Sequence, residues 1–443
     1  MLRNLYQKYS KEITWALLAL ICVLEFGLVS WWKPEREADA NLIQSCLIFF
    51  TGIGMGIYAI RKSFQAAIEK SSYSNTAQAP IWVKILQYSL PFVGILILLP
   101  ILSPLFEKYA IVPQNSDIIP QIEVMARRFM NGEFPYAPIH DFGYELRSPY
   151  MPLHWGPFVV PEAMGFDDRW WVISLWLFSS LFFTHIAIKK GRSIFQSSVL
   201  AIIPGLFIYL LLRNNFVVFS HTVELLILSY YIFLAVALTT GNTWLMGAAL
   251  LTCLLSRYSL LFWTPLLFLP FLLKKPKSDL FKLGGLVLAG MLMLYVIPFL
   301  SKDWTMPFQG LEHHGIVTMK NWTFEPWFGP NGKPGALYRG TGLAALFYEF
   351  WPGGAEAQAG AVQNLQFIGS AALLILLSIL YVRKREKIQD RLFLLGSLKL
   401  MLTFFYSFLA LPIDYYFVVP VMLSLGILLY EGIDSGGENR LLT

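Results

Sequence analysis

Residues 13–32 read ITWALLALICVLEFGLVSWW, an apolar run that decides the fold class. An α-helix rises 1.5 Å per residue, so a run of this length crosses the ~30 Å hydrocarbon core of a bilayer. No small-residue cleavage site follows the run. We therefore expect a retained membrane span and not a signal peptide.

The composition predicts many such spans. Of the 443 residues, 56% are hydrophobic and only 14% are charged, which is too little charge to cover a soluble protein of this length. We therefore predict an all-α polytopic membrane protein with about twelve transmembrane helices. The predicted spans lie near residues 13–32, 42–60, 81–102, 169–188, 195–212, 216–239, 243–256, 258–273, 281–300, 362–382, 392–411 and 415–431.

The positions of the basic residues predict the orientation of these spans. Most lysines and arginines fall in alternate loops, and the positive-inside bias makes that side cytoplasmic, together with both termini. The net charge of +6 is explained by this bias, so we infer a lipid bilayer as a partner and no nucleic acid. The cytoplasmic set is Arg3, Lys8, Lys11, Arg61, Lys62, Lys189, Lys190, Arg192, Lys274, Lys275, Lys277, Arg383, Lys384, Arg385 and Lys387.

This topology places two long segments on the extracytoplasmic face. Every cytoplasmic loop is short, and the chain has neither a GxxxxGK[ST] loop nor a GxGxxG motif between a strand and a helix, so no nucleotide site is indicated. The resulting divisions are the spans of 1–102, a first extracytoplasmic loop at 103–168, the central spans of 169–300, a second extracytoplasmic loop at 301–361 and the spans of 362–443.

The first long loop begins with an amphipathic pattern. Ile118, Ile122, Met125 and Phe129 recur at helical spacing, which predicts a helix lying on the outer membrane surface. Asp117 stands at its start, where it suits two roles, a side-chain cap of the helix or a general base at the membrane–water boundary. The spacing alone does not separate the two.

The motifs around this helix resemble those of the polytopic GT-C glycosyltransferases, in particular a bacterial branch with a pattern of the type D…A…G-x-x-P-Y…Y-x-P-x. In addition, LLSRYSLLFWTPLLFLP at 254–270 resembles the family's basic residue before an apolar span, and LPIDYYFVVP at 411–420 is similar to its aromatic final external turn. The residues that match the pattern are Asp117, Ala126, Gly132, Pro135, Tyr136, Tyr150 and Pro152.

The resemblance implies both an activity and a location. Such enzymes transfer a sugar with inversion from a polyprenyl-phosphate donor to a glycan, lipid or protein acceptor, with an aspartate as general base. It further implies a bacterial inner membrane with the active site facing the periplasm. Here the aspartate follows the third predicted span and not the first, and it stands alone in S-D-I and not in a D-x-D pair. A divalent cation such as Mg²⁺ or Mn²⁺ therefore stays an open expectation.

Several further residues are candidates for substrate binding. Arg257, which matches the family position, ranks first as a ligand of the lipid phosphate, ahead of Arg213 and Arg339, although either of the first two arginines suits a pair with Glu224. His221 and Glu224 stand at i and i+3 of one predicted span, so they should share a face. The remaining candidates are Tyr136, Arg147, Tyr150, His154 and His313, together with the aromatic rings of Trp155 and Trp327.

Two other functions compete with the glycosyltransferase. A transporter or flippase would have paired broken helices in two halves and charges at mid-membrane depth. A polysaccharide polymerase or ligase would use histidine and arginine in its outer loops, as the loop sequence EHHG at 312–315 and Arg339 would allow. The polar residues gather near the outer ends of spans and in the two outer loops, which favours an enzyme.

Overall fold

The computed structural model is all-helical across the residues that it describes, which are 2–30, 38–66, 79–325, 329 and 332–433. The long helices are α1 (Leu2–Ser30), α2 (Ala38–Ala66), α3 (Ile81–Lys108), α7 (Asp168–Lys190), α8 (Ile194–Asn214), α13 (Lys277–Met291), α17 (Ala355–Lys384), α18 (Asp390–Ser407) and α19 (Val418–Gly432). The shorter ones are α4 (Ile118–Met130), α5 (Pro152–Trp155), α6 (Val159–Met164), α9 (Val217–Ser220), α10 (Glu224–Thr240), α11 (Thr243–Leu254), α12 (Thr264–Leu273), α14 (Met306–Thr323), α15 (Gly335–Arg339) and α16 (Ala344–Phe350).

Eight helices of the described chain are long and apolar enough to cross a membrane. Every predicted span contains helix, so the prediction of an all-α polytopic membrane protein is confirmed, whereas the count of twelve stays a prediction. The remaining predicted spans correspond to α10, α11 and α12, which are apolar but only 10–17 residues long, and to α18, which carries Asp390, Arg391 and Lys399.

The helices differ in how far the protein itself covers them. Nearly every residue of α10, α18 and α19 is buried, so these three helices form the centre of the bundle. Helices α3 and α17 instead expose large apolar side chains along much of their length. An apolar surface of this kind requires lipid around it, as in a membrane protein.

A buried ion pair joins three helices inside the bundle. Lys399 of α18 donates to both carboxylate oxygens of Glu25 in α1, at 3.0 Å each, and to the carbonyl of Pro420 in α19 at 2.8 Å. The Ser424 hydroxyl of α19 donates to the same carboxylate. Glu25 is 0% exposed and Lys399 1%. All three ammonium hydrogens therefore have acceptors, as a buried charge requires.

Loops that the charge pattern assigns to one side also contact one another at one end of the bundle, here called the basic end. Lys274 donates to the carbonyls of Arg385 and Ile388, and the backbone N–H of Arg192 donates to Gly432. The basic residues of these loops, in 189–192, 274–277 and 383–387, are ones that the positive-inside bias predicts to be cytoplasmic. The opposite end, here called the site end, contains 103–167, 215–223, 255–260, 301–325, 332–354 and 408–417, which contact one another through Ser116 and His221, Leu153 and Leu255, Gly310 and Pro149, and Gly340 and Pro412.

The amphipathic helix of the first long loop forms where it was predicted, as α4. Of the four residues that predict its apolar face, Ile122 and Met125 are 0% exposed and Ile118 is half-buried, because α4 packs against α5 and α6, whereas Phe129 is 46% exposed. The protein therefore covers most of the apolar face and leaves Phe129 outside. A position of α4 on the outer membrane surface, which the same pattern predicts, stays a prediction.

We expect Lys399→Met to destabilise the protein by about 3–5 kcal/mol, because it leaves the carboxylate of Glu25 buried and unpaired. The double variant Glu25→Gln/Lys399→Met removes both charges and should recover most of the loss. Unfolding titrations with sodium dodecyl sulfate in mixed micelles measure both. Equal losses in the single and double variants would contradict the role given to the pair.

Candidate functional site

Asp117 stands immediately before α4, but its side chain does not cap the helix. Its backbone carbonyl accepts the first helical hydrogen bond, from Gln121 N at 2.9 Å. Its carboxylate Oδ2 instead accepts from the Tyr144 hydroxyl at 2.8 Å and makes no bond to the helical N–H groups. The prediction of a side-chain cap is therefore wrong, and the carboxylate is turned towards the first loop.

Ser116, the residue before Asp117, makes a side-chain hydrogen bond to the start of α4, which the Asp117 carboxylate does not make. Ser116 Oγ lies 3.4 Å from the N–H of Ile118 and donates to the carbonyl of His221 at 3.1 Å. Ser116 thus ties the start of α4 to the chain between α9 and α10. The adjacent Asp117 remains half-buried at the site end.

Tyr150 and His154 form a stacked pair beside this carboxylate. Their ring centroids lie 4.1 Å apart with an angle of 4° between the planes, and the N–H at His154 Nδ1 donates to the carbonyl of Ser256 at 3.3 Å. Burial, with a smaller contribution from Arg257, lowers the pKa of His154 to about 3. His154 is therefore neutral at physiological pH and supplies no positive charge for a phosphate.

Two candidate charged groups, Asp117 and Arg257, both influence the pKa of Tyr150. Burial raises the pKa of Tyr150, the Tyr416 hydroxyl and the carboxylates of Asp117 and Glu224 raise it further, and Arg257 opposes them. The same tyrosine is thus within electrostatic range of Asp117 and of the Arg257 cluster, defined as Arg257, Glu224, Tyr416, Asn215 and Asp414.

Arg257 is the centre of that cluster. Its Nη2 donates to Oε1 of Glu224, and its guanidinium lies over the ring of Tyr416, 4.6 Å from the centroid. Glu224 is 3% exposed and the side chain of Arg257 12%. The pairing with Glu224 that the sequence allowed is confirmed for Arg257, so the guanidinium charge is largely neutralised inside the protein.

Two backbone interruptions bring the pair together. Arg257 follows α11 in extended backbone, with φ −152° and ψ 147°, and Glu224 begins α10 after a break at 221–223. The first loop is attached to the same place, because Leu153 N donates to the carbonyl of Leu255 at 2.8 Å. Helix ends carry unpaired polar groups, so a site that holds charge forms at such ends more readily than at mid-helix.

Buried atoms of the Arg257 cluster lack hydrogen-bond partners. They are Nη1 of Arg257, Oε2 of Glu224 and Oδ1 of Asn215, whose Nδ2 donates to Asp414. The Tyr406 hydroxyl donates to Ser259 Oγ at 2.9 Å, and its oxygen is placed to accept from the Arg257 guanidinium, although no hydrogen bond of good geometry reaches Nη1. An unpaired buried polar atom costs stability, so three in one cluster call for an explanation.

The second long segment differs from the prediction. The EHHG residues lie within the helix α14 and not in a loop, and Gly310 of this helix packs against Pro149 so closely that a Cβ there would lie 2.8 Å from its Cα. Burial lowers the pKa of His313, whereas the Asp117 carboxylate opposes this and so lies near the imidazole. Arg147 donates to Gln309 of α14 and to Glu145 at 2.8 Å.

The structure keeps other candidates apart from Asp117 or gives them different roles. Tyr136 lies in an aromatic cluster with Phe129, Trp155 and Phe299, and its hydroxyl accepts from Trp155 Nε1 at 3.1 Å. Arg339, at the end of α15, is exposed. Trp327 falls outside the described residues.

His221 does not share a helical face with Glu224, which corrects the prediction. It lies in the break between α9 and α10, where its Nδ1 and Ser220 Oγ are 2.6 Å apart, and it lines a small cleft with Ser116 and Ile119. Among the described residues, no group of three or more His, Cys, Asp or Glu side chains is placed to hold a metal ion.

Tyr144, Tyr416 and Asp414 belong to the site, but sequence reasoning gave none of them a role. Tyr416 and Asp414 lie within the quoted motif LPIDYYFVVP, whose aromatic and acidic content was a usable signal. Tyr144 is 27 positions from Asp117 and carries no pattern of its own. Only the folded loop brings its hydroxyl to the carboxylate.

Comparison of the chain with protein-family models, with curated proteins and with solved structures gave no match. The resemblance to the GT-C glycosyltransferases therefore stays a hypothesis. The function is argued below from the geometry of the site.

The contribution of His154 to the stability of the protein should fall as the pH drops from 6.5 towards 3, whereas Glu123, whose pKa burial raises to about 7, contributes in the opposite direction. His154 has a pKa of about 3 when folded and about 6.5 when unfolded, so only the unfolded chain takes up its proton in this range. The expected slope is up to about 1.4 kcal/mol per pH unit from this residue. Thermal melts of His154→Gln should show a shallower slope, while those of the exposed control His140→Gln should match the wild type. Identical slopes in all three proteins would contradict a buried neutral imidazole.

Proposed function

We propose that the protein is an integral membrane glycosyltransferase of the GT-C type. It transfers a hexose or related sugar from a polyprenyl-phosphate donor to an acceptor on the extracytoplasmic face, with inversion. Asp117 is the general base. The donor's lipid tail stays in the bilayer, so the reaction has to take place at one end of the bundle, where Asp117 lies.

The observation that carries the proposal is the orientation of the Asp117 carboxylate. Although it starts a helix, the side chain is released from capping and held by Tyr144 at 2.8 Å, with Oδ1 accepting no hydrogen bond from the described residues. A half-buried carboxylate with one oxygen available suits proton abstraction from an acceptor hydroxyl. A residue that served the helix alone would bond to its N–H groups.

The reaction balances with the groups present. The acceptor oxygen attacks the anomeric carbon while its proton passes to Asp117, and a new C–O bond forms on the face opposite the leaving group. The bond between the anomeric carbon and the phosphate oxygen breaks, and its electron pair leaves with the lipid phosphate. Cations near the membrane boundary then stabilise the developing negative charge.

The arrangement favours Arg213 over Arg257 for this phosphate. Arg257 is already neutralised by Glu224. Arg213 ends α8 in an exposed position and makes no ion pair with any described residue. It stands two positions before Asn215, which bonds to Asp414 of the Arg257 cluster. A cation at the end of a membrane helix lies at the depth of a lipid headgroup.

A transporter would also have charges inside its spans, like Glu25 and Lys399, and broken helices, like those at 221–223 and 255–260, but these two breaks are neighbours in the chain and do not recur in two halves. No specific observation favours the polymerase. The only ion pair of the described chain with both side chains at most 1% exposed joins Glu25 to Lys399, and its hydrogen bonds are satisfied, so it offers no vacancy for a transported ion. Arg339, on which the polymerase hypothesis relied, is exposed on α15, while the neighbouring histidines belong to the packed helix α14.

Asp117→Asn should reduce sugar transfer by about 100-fold to 10,000-fold, because the amide does not accept the acceptor's proton. Purified protein in nanodiscs is incubated with radiolabelled polyprenyl-phosphate sugars and candidate acceptors, and the initial rates are compared. Glu133→Gln, an exposed carboxylate just beyond α4, is the matched control and should retain the wild-type rate. If Asp117→Asn transfers sugar at the wild-type rate, Asp117 is not the general base.

Arg213→Gln should raise the KM for the lipid donor about tenfold and change kcat less, because the lost contact is made to the bound phosphate before the transition state. Lys302→Gln is the matched control, since Lys302 is also exposed just beyond a span at the site end. Steady-state rates at varied donor concentration separate the two constants. An unchanged KM in Arg213→Gln would exclude the arginine from the phosphate site.

A further inference from the structure

The unpaired atoms of the Arg257 cluster form a specific chemical pattern. Arg257 contributes an unpaired N–H donor at Nη1, and its partner Glu224 contributes an unpaired acceptor at Oε2. Arg257 Nη2 and Glu224 Oε1 already bond to each other, and this bond holds the unpaired Nη1 and Oε2 in a fixed relation. A ligand that satisfies both must accept one hydrogen bond and donate another.

We propose that the Glu224–Arg257 pair is a carbohydrate subsite, which binds a hydroxyl or a vicinal pair of hydroxyls of a sugar ring. A hydroxyl accepts from Arg257 Nη1 and donates to Glu224 Oε2, so each unpaired atom gains its partner. This inference deepens the proposed function and rests on it for the view that the sugar is a substrate. It departs from the expectation that Arg257 binds the lipid phosphate.

The charge of the cluster argues for a neutral ligand. The phosphodiester of a lipid-linked sugar offers only acceptors, so it would satisfy Nη1, leave Oε2 unpaired and meet the negative carboxylate of Glu224. Inorganic phosphate also has an O–H donor, but it is an anion at neutral pH and meets the same carboxylate. Asp414 adds a second carboxyl group within electrostatic range of Glu224. The cluster thus combines one arginine with two acidic side chains, which repels anions and accepts hydroxyl groups.

The aromatic surroundings also fit a sugar ring. Tyr416 lies over the guanidinium, and the ring of Tyr415 packs edge-on against that of Tyr416, with the centroids 5.0 Å apart. Aromatic faces pack against the C–H groups of a sugar while the polar groups bind its hydroxyls. Neither unpaired atom reaches solvent in this structure, but Tyr150, Tyr416 and Arg257 itself are partly exposed. We therefore expect the sugar to approach from this side.

The test measures sugar binding without any transfer reaction. Methyl glucoside, methyl mannoside and methyl galactoside are added to the protein in lipid nanodiscs, because glycoside detergents would fill the site, and binding is followed by saturation-transfer NMR. We expect at least one glycoside to bind the wild type, and 10 mM inorganic phosphate not to displace it. Binding of none of the three, or displacement by phosphate, would overturn the proposal.

Two variants locate the binding. Glu224→Gln keeps the size of the side chain but replaces the acceptor, and Arg257→Lys keeps the ion pair but removes the second guanidinium nitrogen. Each should weaken glycoside binding about tenfold, the effect of one hydrogen bond. Thermal melts identify a variant that fails to fold, in which case the other decides. Wild-type affinity in a folded variant would refute the subsite.

The Asp117→Asn variant separates this inference from the proposed function. It should lose transfer but bind the glycoside as the wild type does, since Asp117 lies outside the Arg257 cluster. Glycoside binding that depends on Glu224, in a protein that transfers no sugar from any lipid donor, would refute the transferase and keep the carbohydrate subsite. If the protein transfers sugar but Glu224→Gln leaves its glycoside affinity unchanged, the subsite is refuted and the transferase is not.

Discussion

The ion pair between Glu25 and Lys399 is the interaction on which the bundle depends. It joins α1 to α18 across 374 positions of sequence, and Lys399 and Ser424 bring α19 into the same network. Apolar helices in lipid gain little specificity from the hydrophobic effect, since lipid tails are as apolar as their own side chains. A buried charge has one acceptable partner, so this pair selects a single arrangement of the central helices.

Fixing the central helices also fixes the site end. Helix α18 leads to the turn that contains Asp414 and Tyr416, and Trp263, just before α12, donates to Ser397 of α18 at 2.9 Å. Arg257 and Glu224 therefore meet at helix ends whose positions the core determines. The long first loop adds Asp117 and Tyr150 to these ends through Ser116 and Leu153. The site thus combines a rigid floor with residues contributed by loops.

The two polar pairs of the protein differ in a way that bears on function. In the Glu25–Lys399 pair every ammonium hydrogen has an acceptor, as a structural role requires. In the Glu224–Arg257 pair one atom of each partner is left unpaired, and neither of these atoms reaches solvent. Protein interiors avoid such unpaired atoms, which is the observation behind the proposed subsite.

The sequence by itself determined the helical fold class, the positions of eight helices able to cross a membrane and the start of α4, because hydrophobic runs and helical periodicity are local properties. It also proposed the pairing of Arg257 with Glu224, since a charge near a membrane span needs a partner. It misjudged the cap at Asp117, the shared face of His221 and Glu224 and the loop around EHHG.

Each of these was decided by tertiary structure. Tyr144 competes with the helix for Asp117, the break at 221–223 separates His221 from α10, and α14 is stabilised by packing on Pro149. Contacts between residues distant in sequence leave no periodic signal in the chain. The local pattern therefore specifies which segments become helices, and only long-range contacts specify where their polar groups point.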